Sequence, residues 1–289
     1  MDGVSPGRRL RDRLDRERLL VVPGAYDALS ARLVEEAGFG AVYMTGAGTA
    51  AGLGYPDYGL VTMTEMVENA ARLARAVELP VIADCDTGYG NELNAIRAVQ
   101  EYARCGVAGI HVEDQVFPKR CGHLEDKEVV PADDFVAKVR AMSDHRPDPD
   151  LFLIARTDAR APLGLEAAVE RANAALNAGA DCAFVEAPQS REEVEGIPAL
   201  VNGPCLFNLV PGGRSPEVTF ADLERFGYRI VILPTLLVAA AVLGGREALQ
   251  RLRTGGEAAP TGALPPAELF RLVGSEAWDR ARTGAQIPR

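Results

Sequence analysis

Lys119-Arg120-Cys121-Gly122-His123 brings two cations, a thiol and an imidazole into one short stretch. Cations beside a cysteine lower its pKa and raise its thiolate fraction, as a proton-transferring or nucleophilic thiol requires. Lysine is scarce in this chain: Lys119, Lys127 and Lys138 are its only three, and one of them sits two residues before Cys121. The stretch follows an apolar segment, Gly109–Glu113, the carboxylate pair Glu113-Asp114, and Pro118. Taken alone it also fits a solvated turn carrying an incidental thiol, so the other reactive residues decide.

Asp84-Cys85-Asp86-Thr87-Gly88-Tyr89-Gly90 sets carboxylates at i and i+2 just past a second apolar segment. Hard divalent cations take oxygen ligands, and Mg2+ typically accepts one or two carboxylates while keeping waters for a substrate to displace. Asp84 would ligate directly, with Asp86 and Glu113 holding the waters; an Asx turn closed by glycine is the alternative. In Arg156-Thr157-Asp158-Ala159-Arg160, the planar fork of Arg156 matches a carboxylate or phosphonate bidentately. Arg156 ends a segment expected to be buried, where a guanidinium without an anionic partner is costly. Thr45-Gly46-Ala47-Gly48 is either a plain turn or a small-residue loop whose N–H groups can approach a carboxylate. His111, inside a strand, reads as a core or supporting histidine, whereas His123 is placed to polarise Cys121 or touch a substrate.

These residues need a frame that gathers them. Short apolar runs at Leu20–Pro23, Ala41–Thr45, Val81–Asp84, Gly109–Glu113, Phe152–Arg156, Cys182–Glu186, Cys205–Asn208 and Ile230–Leu233 predict strands. Helical periodicity follows at Asp27–Ala37, Glu65–Val77, Asn94–Cys105, Asp133–Met142, Leu165–Ala178, Glu192–Val201, Phe220–Phe226 and Thr235–Arg253. Ala37-Gly38, Cys105-Gly106 and Ala178-Gly179 each close a helix shortly before a strand, as C-terminal glycine caps do. Strand–helix alternation of this number predicts an α/β fold, a (β/α)8 TIM-type barrel, over a single domain spanning 1–289. An Arg/Asp/Glu-rich helix precedes it within 1–18. The Gly/Pro-rich run Gly255–Pro266 sets off a last helix, Ala267–Arg282, in a C-terminal segment 264–289. In such barrels the catalytic residues come from the C-terminal rim of several strands. Thr45, Asp84, Glu113, Arg156, Glu186 and Asn208 all end strand candidates.

At 289 residues with 47% hydrophobic content, the chain can bury a large core. A net charge of -10 argues against nucleic acid or an anionic membrane as partner, but not against a small anionic substrate beside a local Arg and a metal. No apolar run reaches the ~20 residues of a membrane span, and no signal-peptide core opens the chain. The five cysteines, Cys85, Cys105, Cys121, Cys182 and Cys205, lack C-x-x-C spacing. They fit reduced thiols of a cytoplasmic protein.

Together these pieces resemble the isocitrate lyase / phosphoenolpyruvate mutase superfamily. The resemblance rests on Tyr26-Asp27-Ala28-Leu29-Ser30-Ala31, Gly54-Tyr55-Pro56-Asp57, the Asp84–Gly90 loop, Val112-Glu113-Asp114-Gln115, Lys119–His123, Ala155-Arg156-Thr157-Asp158-Ala159 and Glu186-Ala187, in family order. The Lys-Arg-Cys-Gly-His loop is similar to the signature of its 2-methylisocitrate lyase branch, shared with dimethylmalate-lyase-like and carboxyphosphonoenolpyruvate mutase relatives. The resemblance implies a Mg2+-dependent barrel, with Mn2+ as a substitute, in which Asp84 ligates the metal and Asp57, Asp86 and Glu113 hold its water shell. It implies that Thr45, Gly46, Ala47 and Arg156 bind a 2-oxoacid end. Arg120, Gly122 and His123 would meet the other end of the substrate, and Glu186 and Asn208 complete the site. Cys121 would be the acid/base of a moving loop, with Lys119, His123 and Glu113 in catalytic roles. It also implies a homotetramer of dimers that exchange a C-terminal helix. Two departures stand out: Pro211 occupies a position where relatives carry Glu in an Asn-x-x-Glu-Gly-Gly-like turn, and Thr45-Gly46-Ala47 replaces a Ser-Gly-Gly-like loop.

The expected reaction is cleavage of a carbon–carbon bond in a 2-hydroxy di- or tricarboxylate of 2-methylisocitrate or alkylmalate type, releasing a 2-oxoacid. The alternatives are a carboxyphosphonoenolpyruvate-type phosphonomutase and a barrel that binds a 2-oxoacid without turnover.

Overall fold

A computed structural model describes residues 4–122, 124, 126–255 and 264–283. Helix α1 (Pro6–Arg16) leads into β1 (Leu20–Ala25), α2 (Ala28–Glu36), β2 (Val42–Met44), α3 (Gly46–Gly52), α4 (Met63–Ala76), β3 (Val81–Asp84) and α5 (Glu92–Arg104). Next come β4 (Gly109–Glu113), α6 (Ala132–His145), β5 (Phe152–Thr157), α7 (Arg160–Leu163), α8 (Leu165–Asn177), β6 (Cys182–Val185) and α9 (Arg191–Leu200). The chain continues through β7 (Cys205–Asn208), α10 (Phe220–Phe226), β8 (Ile230–Leu233), α11 (Leu236–Arg253), α12 (Pro266–Leu272) and α13 (Ser275–Arg282).

All eight strands are parallel and close into one barrel in chain order, β1 pairing with both β2 and β8. Every predicted strand forms, its ends shifted by at most two residues. Side chains alternate across each strand, so every second residue enters the barrel. Leu20, Val22, Tyr43, Ile82, Ile154, Phe184, Leu206 and Ile230 fill its interior, and Leu10 of α1 plugs the N-terminal mouth from below. Residues of opposite parity, such as Val42, Val81, Ile110 and Val112 on one side and Phe207 and Val231 on the other, pack outward against the helices. Gly38, Gly106 and Gly179 follow α2, α5 and α8 with φ of +82°, +87° and +107°, which explains the glycine at each predicted helix end.

Three local expectations change. Thr45–Gly48 is the start of α3, where the Thr45 hydroxyl accepts from the Gly48 N–H at 3.2 Å. The glycines here are required because Asp84 beside Gly46, and Thr45 and Tyr26 beside Gly48, leave no room for a Cβ. The N-terminal helix covers Pro6–Arg16, started by the Ser5 cap and Pro6 rather than by the arginines. The predicted last helix Ala267–Arg282 is two helices, because Gly274 adopts a left-handed φ of +88° between them. Among the described residues no helix is long and apolar enough to cross a membrane.

Candidate active site

The strand register lines up the chemistry. Asp84 pairs with His111, Glu113 with Arg156, and Arg156 with Phe184, so these side chains meet near one level at the C-terminal rim. Asp84 is 4% exposed and accepts from the N–H of Asp86 at 2.9 Å and of Gly46 at 3.2 Å. Any Cβ at position 46 would overlap the Asp84 carboxylate, so only glycine permits this approach. Beneath it, Tyr43 Oη lies 2.7 Å from His111 Nε2, and that nitrogen is 3.4 Å from Asp84 Oδ1. Burial works to raise the Asp84 pKa, but His111, Lys119, Arg156 and the Asp86 N–H outweigh it and hold the carboxylate below its ordinary value. Burial also lowers the His111 pKa against the pull of Asp84, and the ring supports Asp84 from inside the barrel.

Lys119 reaches into this cluster rather than into solvent. Its Nζ sits 2.5 Å from Asp57 and 2.8 Å from Asp86. Burial would lower its pKa, but Asp86, Glu113, Asp57 and Asp84 raise it well above the usual lysine value. Lys119 therefore brings a positive charge among the carboxylates Asp57, Asp84, Asp86 and Glu113. Burial pushes Asp86 up to about 6 against the lowering effect of Lys119. Glu113 is fully buried, and neither carboxylate oxygen has a hydrogen-bond partner, although Arg156 Nε stands 3.3 Å from Oε2. Desolvation drives its pKa well above the carboxylate range despite Arg156 and Lys119.

Among the described residues, no three His, Cys, Asp or Glu side chains converge as a metal cage. The donor set nevertheless fits Mg2+, which binds through one or two carboxylates and its own waters rather than through an all-protein cage. Asp84 is held ionised, and Glu113 keeps two buried oxygens without hydrogen bonds that waters of a hydrated cation would satisfy. Asp57 and Asp86 flank the same point through Lys119.

The anion-binding half is built on β5 and β6. Arg156, 7% exposed, lies over the Phe184 ring at 5.1 Å and donates to both oxygens of Asp158, at 2.9 and 3.1 Å. Lys127 Nζ donates to Asp158 Oδ1 at 2.8 Å and to the Gly122 carbonyl at 2.6 Å. Burial would raise the Asp158 pKa, but Arg156 and Lys127 hold it well below the ordinary value. Gly122 is pressed against Arg156 and Glu186 so closely that a Cβ there would overlap both side chains. Asn208 Nδ2 donates to Glu186 Oε1 and Oε2 at 3.2 Å each, joining β7 to the same wall. The thiol loop therefore lies across the site, with the half-buried Cys121 next to Gly122.

Of the residues anticipated from sequence, Asp57, Asp84, Asp86, Glu113, Lys119, Gly122, Arg156, Glu186 and Asn208 gather at this rim. Thr45 and Ala47 flank Gly46 in the first turn of α3, the Thr45 hydroxyl being engaged as its cap. Arg120 is exposed, and its backbone pairs with the Gln115 side chain at 2.8 and 2.9 Å. It lines a separate outer depression with Val116, Phe117 and Glu128. Of the two cations next to Cys121 in sequence, Lys119 thus places its ammonium against Asp57 and Asp86. His123 lies outside the described residues.

Several supporting residues escaped the sequence reading. Tyr43 is hidden as an ordinary aromatic in β2. Asp114 accepts from Thr157 Oγ1 at 2.6 Å, the Asp158 N–H at 2.8 Å and Arg171 at 3.1 Å. Lys138 Nζ donates to the Thr87 carbonyl at 2.6 Å and so carries the Asp84–Gly90 loop. The scarcity of lysine was the usable signal, since Lys119, Lys127 and Lys138 are all buried, between 4% and 6% exposed. A buried ammonium needs partners, so a chain that uses arginine elsewhere and keeps its few lysines inside marks them.

Residues 10–253 match the family described as phosphoenolpyruvate phosphomutase. The chain is 47% identical to a 2,3-dimethylmalate lyase of Eubacterium barkeri over 82% of its length and 83% of the relative's. It is 40% identical to a 2-methylisocitrate lyase of Halalkalibacterium halodurans, over 86% and 82% of the two chains. The solved structure of an oxaloacetate acetylhydrolase in complex with the inhibitor 3,3-difluorooxalacetate superimposes with a TM-score of 0.93, at 40% identity and 97% coverage of both chains.

Proposed function

Because this chain belongs to the isocitrate lyase / phosphoenolpyruvate mutase superfamily, we propose that it is a lyase that cleaves a carbon–carbon bond of a 2-hydroxydicarboxylate, releasing a 2-oxoacid. The observation that carries this reading is the thiol loop lying over the charged rim, with Gly122 against Arg156 and Glu186. A carbon–carbon lyase must protonate the fragment that departs, whereas transfer of a phosphorus group needs no such acid. Cys121 is the proton donor on the loop side.

Asp84 would hold Mg2+, or Mn2+ in its place, with Asp57, Asp86 and Glu113 on its waters; bound there, the ion supplies positive charge for the oxyacid end of the substrate. Arg156 orients the carboxylate at that end, and Lys119 offsets part of the negative charge of the acid cluster. In the reaction the hydroxyl proton leaves to a base and the C–O bond becomes a carbonyl. The C–C electron pair goes to the departing fragment, and the Cys121 proton completes it. Glu186 and Asn208 hold the wall on that fragment's side, with His123 assigned to the same end from its place in the motif.

A cavity of about 560 Å3 runs beside Asn208, its wall apolar at Leu209, Val210, Pro211 and Val218 and polar at Arg191, Glu217 and Asp222. Pro211, in place of a carboxylate, extends the apolar part of this wall, which suits an alkyl substituent. It favours an alkylmalate such as 2,3-dimethylmalate over 2-methylisocitrate. Purified protein with Mg2+ and either substrate, or related alkylmalates, should release a 2-oxoacid detectable by mass spectrometry. No 2-oxoacid from any member of that panel would end the lyase assignment, and a new carbon–phosphorus bond in phosphorus NMR would replace it with a mutase.

The assembly we propose is a homotetramer of dimers that exchange C-terminal helices, in the cytoplasm. In support, α11 contains no buried residue although it carries Leu243, Leu249 and Leu252, and α13 leaves Trp278 64% exposed. Light scattering of the purified protein should give four times the 30.8 kDa chain mass.

A further inference from the structure

Lys127 is placed unlike a loop lysine. It follows the thiol by six residues, yet it is buried and its ammonium contacts two groups at once: the Gly122 carbonyl at 2.6 Å and Asp158 Oδ1 at 2.8 Å. The same Asp158 oxygen also takes Arg156 Nη2 at 3.1 Å. One carboxylate therefore joins the anion-binding guanidinium to the backbone of the thiol loop. Asp158 is itself fixed from behind, because its N–H donates to Asp114 at 2.8 Å and Asp114 is held by Arg171. Arg171 also donates to the Val130 carbonyl, and the Val130 N–H donates to the Asp114 carbonyl, both at 2.8 Å, so the same unit anchors the far end of the loop.

We propose that Lys127 is a positioning residue, which through Asp158 ties the Gly122 backbone, and with it the Cys121 thiol, to Arg156. Lys127 touches none of the acid cluster in which the metal would sit. Its contribution is geometry: a carbonyl fixed by a buried cation holds the adjacent thiol where a substrate anchored on Arg156 ends. An ammonium suits this because it can donate to a carbonyl and a carboxylate in different directions, which a planar fork does less well. The inference rests on the lyase reading for its kinetic consequence, but its structural part stands without it.

The test compares wild type with Lys127→Met, which keeps the length and removes the charge, and with Lys127→Arg. Iodoacetamide labelling of the ligand-free protein, followed by peptide mass mapping, reads the loop without requiring turnover. Cys121 in Lys127→Met should react about tenfold faster or more, because a segment released from a buried pair opens locally. Cys105, half-buried on α5's C-terminal side and remote from the pair, should keep its rate as the internal reference. On a substrate that the wild type turns over, kcat should fall about 100-fold, the usual consequence of misplacing a catalytic group by an ångström, with KM changed less than threefold. Lys127→Arg should recover part of kcat. Unchanged Cys121 labelling in a folded Lys127→Met overturns the proposal. So does a loss expressed wholly in KM, or a Cys105 rate rising in parallel, which indicates global loosening. If no substrate is found, the lyase reading fails while the labelling result still decides the role of Lys127.

Discussion

The two mouths of this barrel use the same side chains to opposite ends. At the N-terminal mouth, Asp181 accepts from Arg11 at 2.9 Å, Arg146 at 2.7 Å and the Leu153 N–H at 2.9 Å. Arg229 donates to the carbonyls of Leu14 and Glu17, and Leu10 seals the interior below. Acids and bases there are matched to each other, which is what stability asks of a half-buried ion pair. At the C-terminal rim, Glu113 is buried with neither oxygen hydrogen-bonded, and burial lifts Asp86 to about 6. Such an arrangement costs stability and is tolerated where a ligand completes it. At one end of the barrel the protein's own ion pairs satisfy its charges, and at the other both oxygens of the buried Glu113 lack hydrogen-bond partners.

Substitutions at each end should separate these roles. The largest effect is expected from Asp84→Ala, which removes the carboxylate that the rim keeps ionised. Metal-dependent turnover should fall by about 10³–10⁴-fold, and oxalate, a mimic of the product enolate, should no longer bind in titration calorimetry. Equal oxalate affinity in wild type and variant would remove Asp84 from the metal site. Cys121→Ser follows, with a turnover loss of roughly 10²–10⁴-fold for a positioned general acid and near-normal oxalate binding. Turnover close to wild type would leave the lyase mechanism without its acid.

Asp86→Ala should be milder, weakening metal affinity by about 10–100-fold, because a residue that orients waters contributes less than a direct ligand. A loss as complete as that of Asp84→Ala would make Asp86 a direct ligand. The smallest effect on catalysis belongs to the opposite mouth. Leu10→Ala should lower unfolding stability by about 2–5 kcal/mol in denaturant titrations while kcat stays within twofold. A large change in kcat there would show that the two mouths are mechanically coupled, against the division of roles drawn above.

The order and type of the barrel elements were legible in the chain because their causes are local. Leu206-Phe207-Asn208 alternates inward and outward within one strand, and Ala37-Gly38 or Ala178-Gly179 ends a helix by its own backbone preference. The strand ends Asp84, Glu113 and Arg156 were readable for the same reason, since a polar residue closing an apolar run stands out in one dimension. The acid set, Arg156 and the thiol loop accordingly stand out in the chain itself. Thr45–Gly48 misled because a run of small residues looks like a turn until the neighbour that requires smallness, Asp84, is in view.

Only the closed barrel decided which charge serves which partner. Lys119 and Cys121 are neighbours in sequence, yet the ammonium goes to Asp57, 62 residues away. Lys127 finds Asp158 across 31 residues, and Arg171 finds Asp114 across 57. Sequence proximity suggested that the loop cations serve the thiol. Folding sends the Lys119 ammonium to Asp57 and Asp86, because a buried ammonium must lie against carboxylates to offset its desolvation, and the barrel rim is where distant strands bring those carboxylates together.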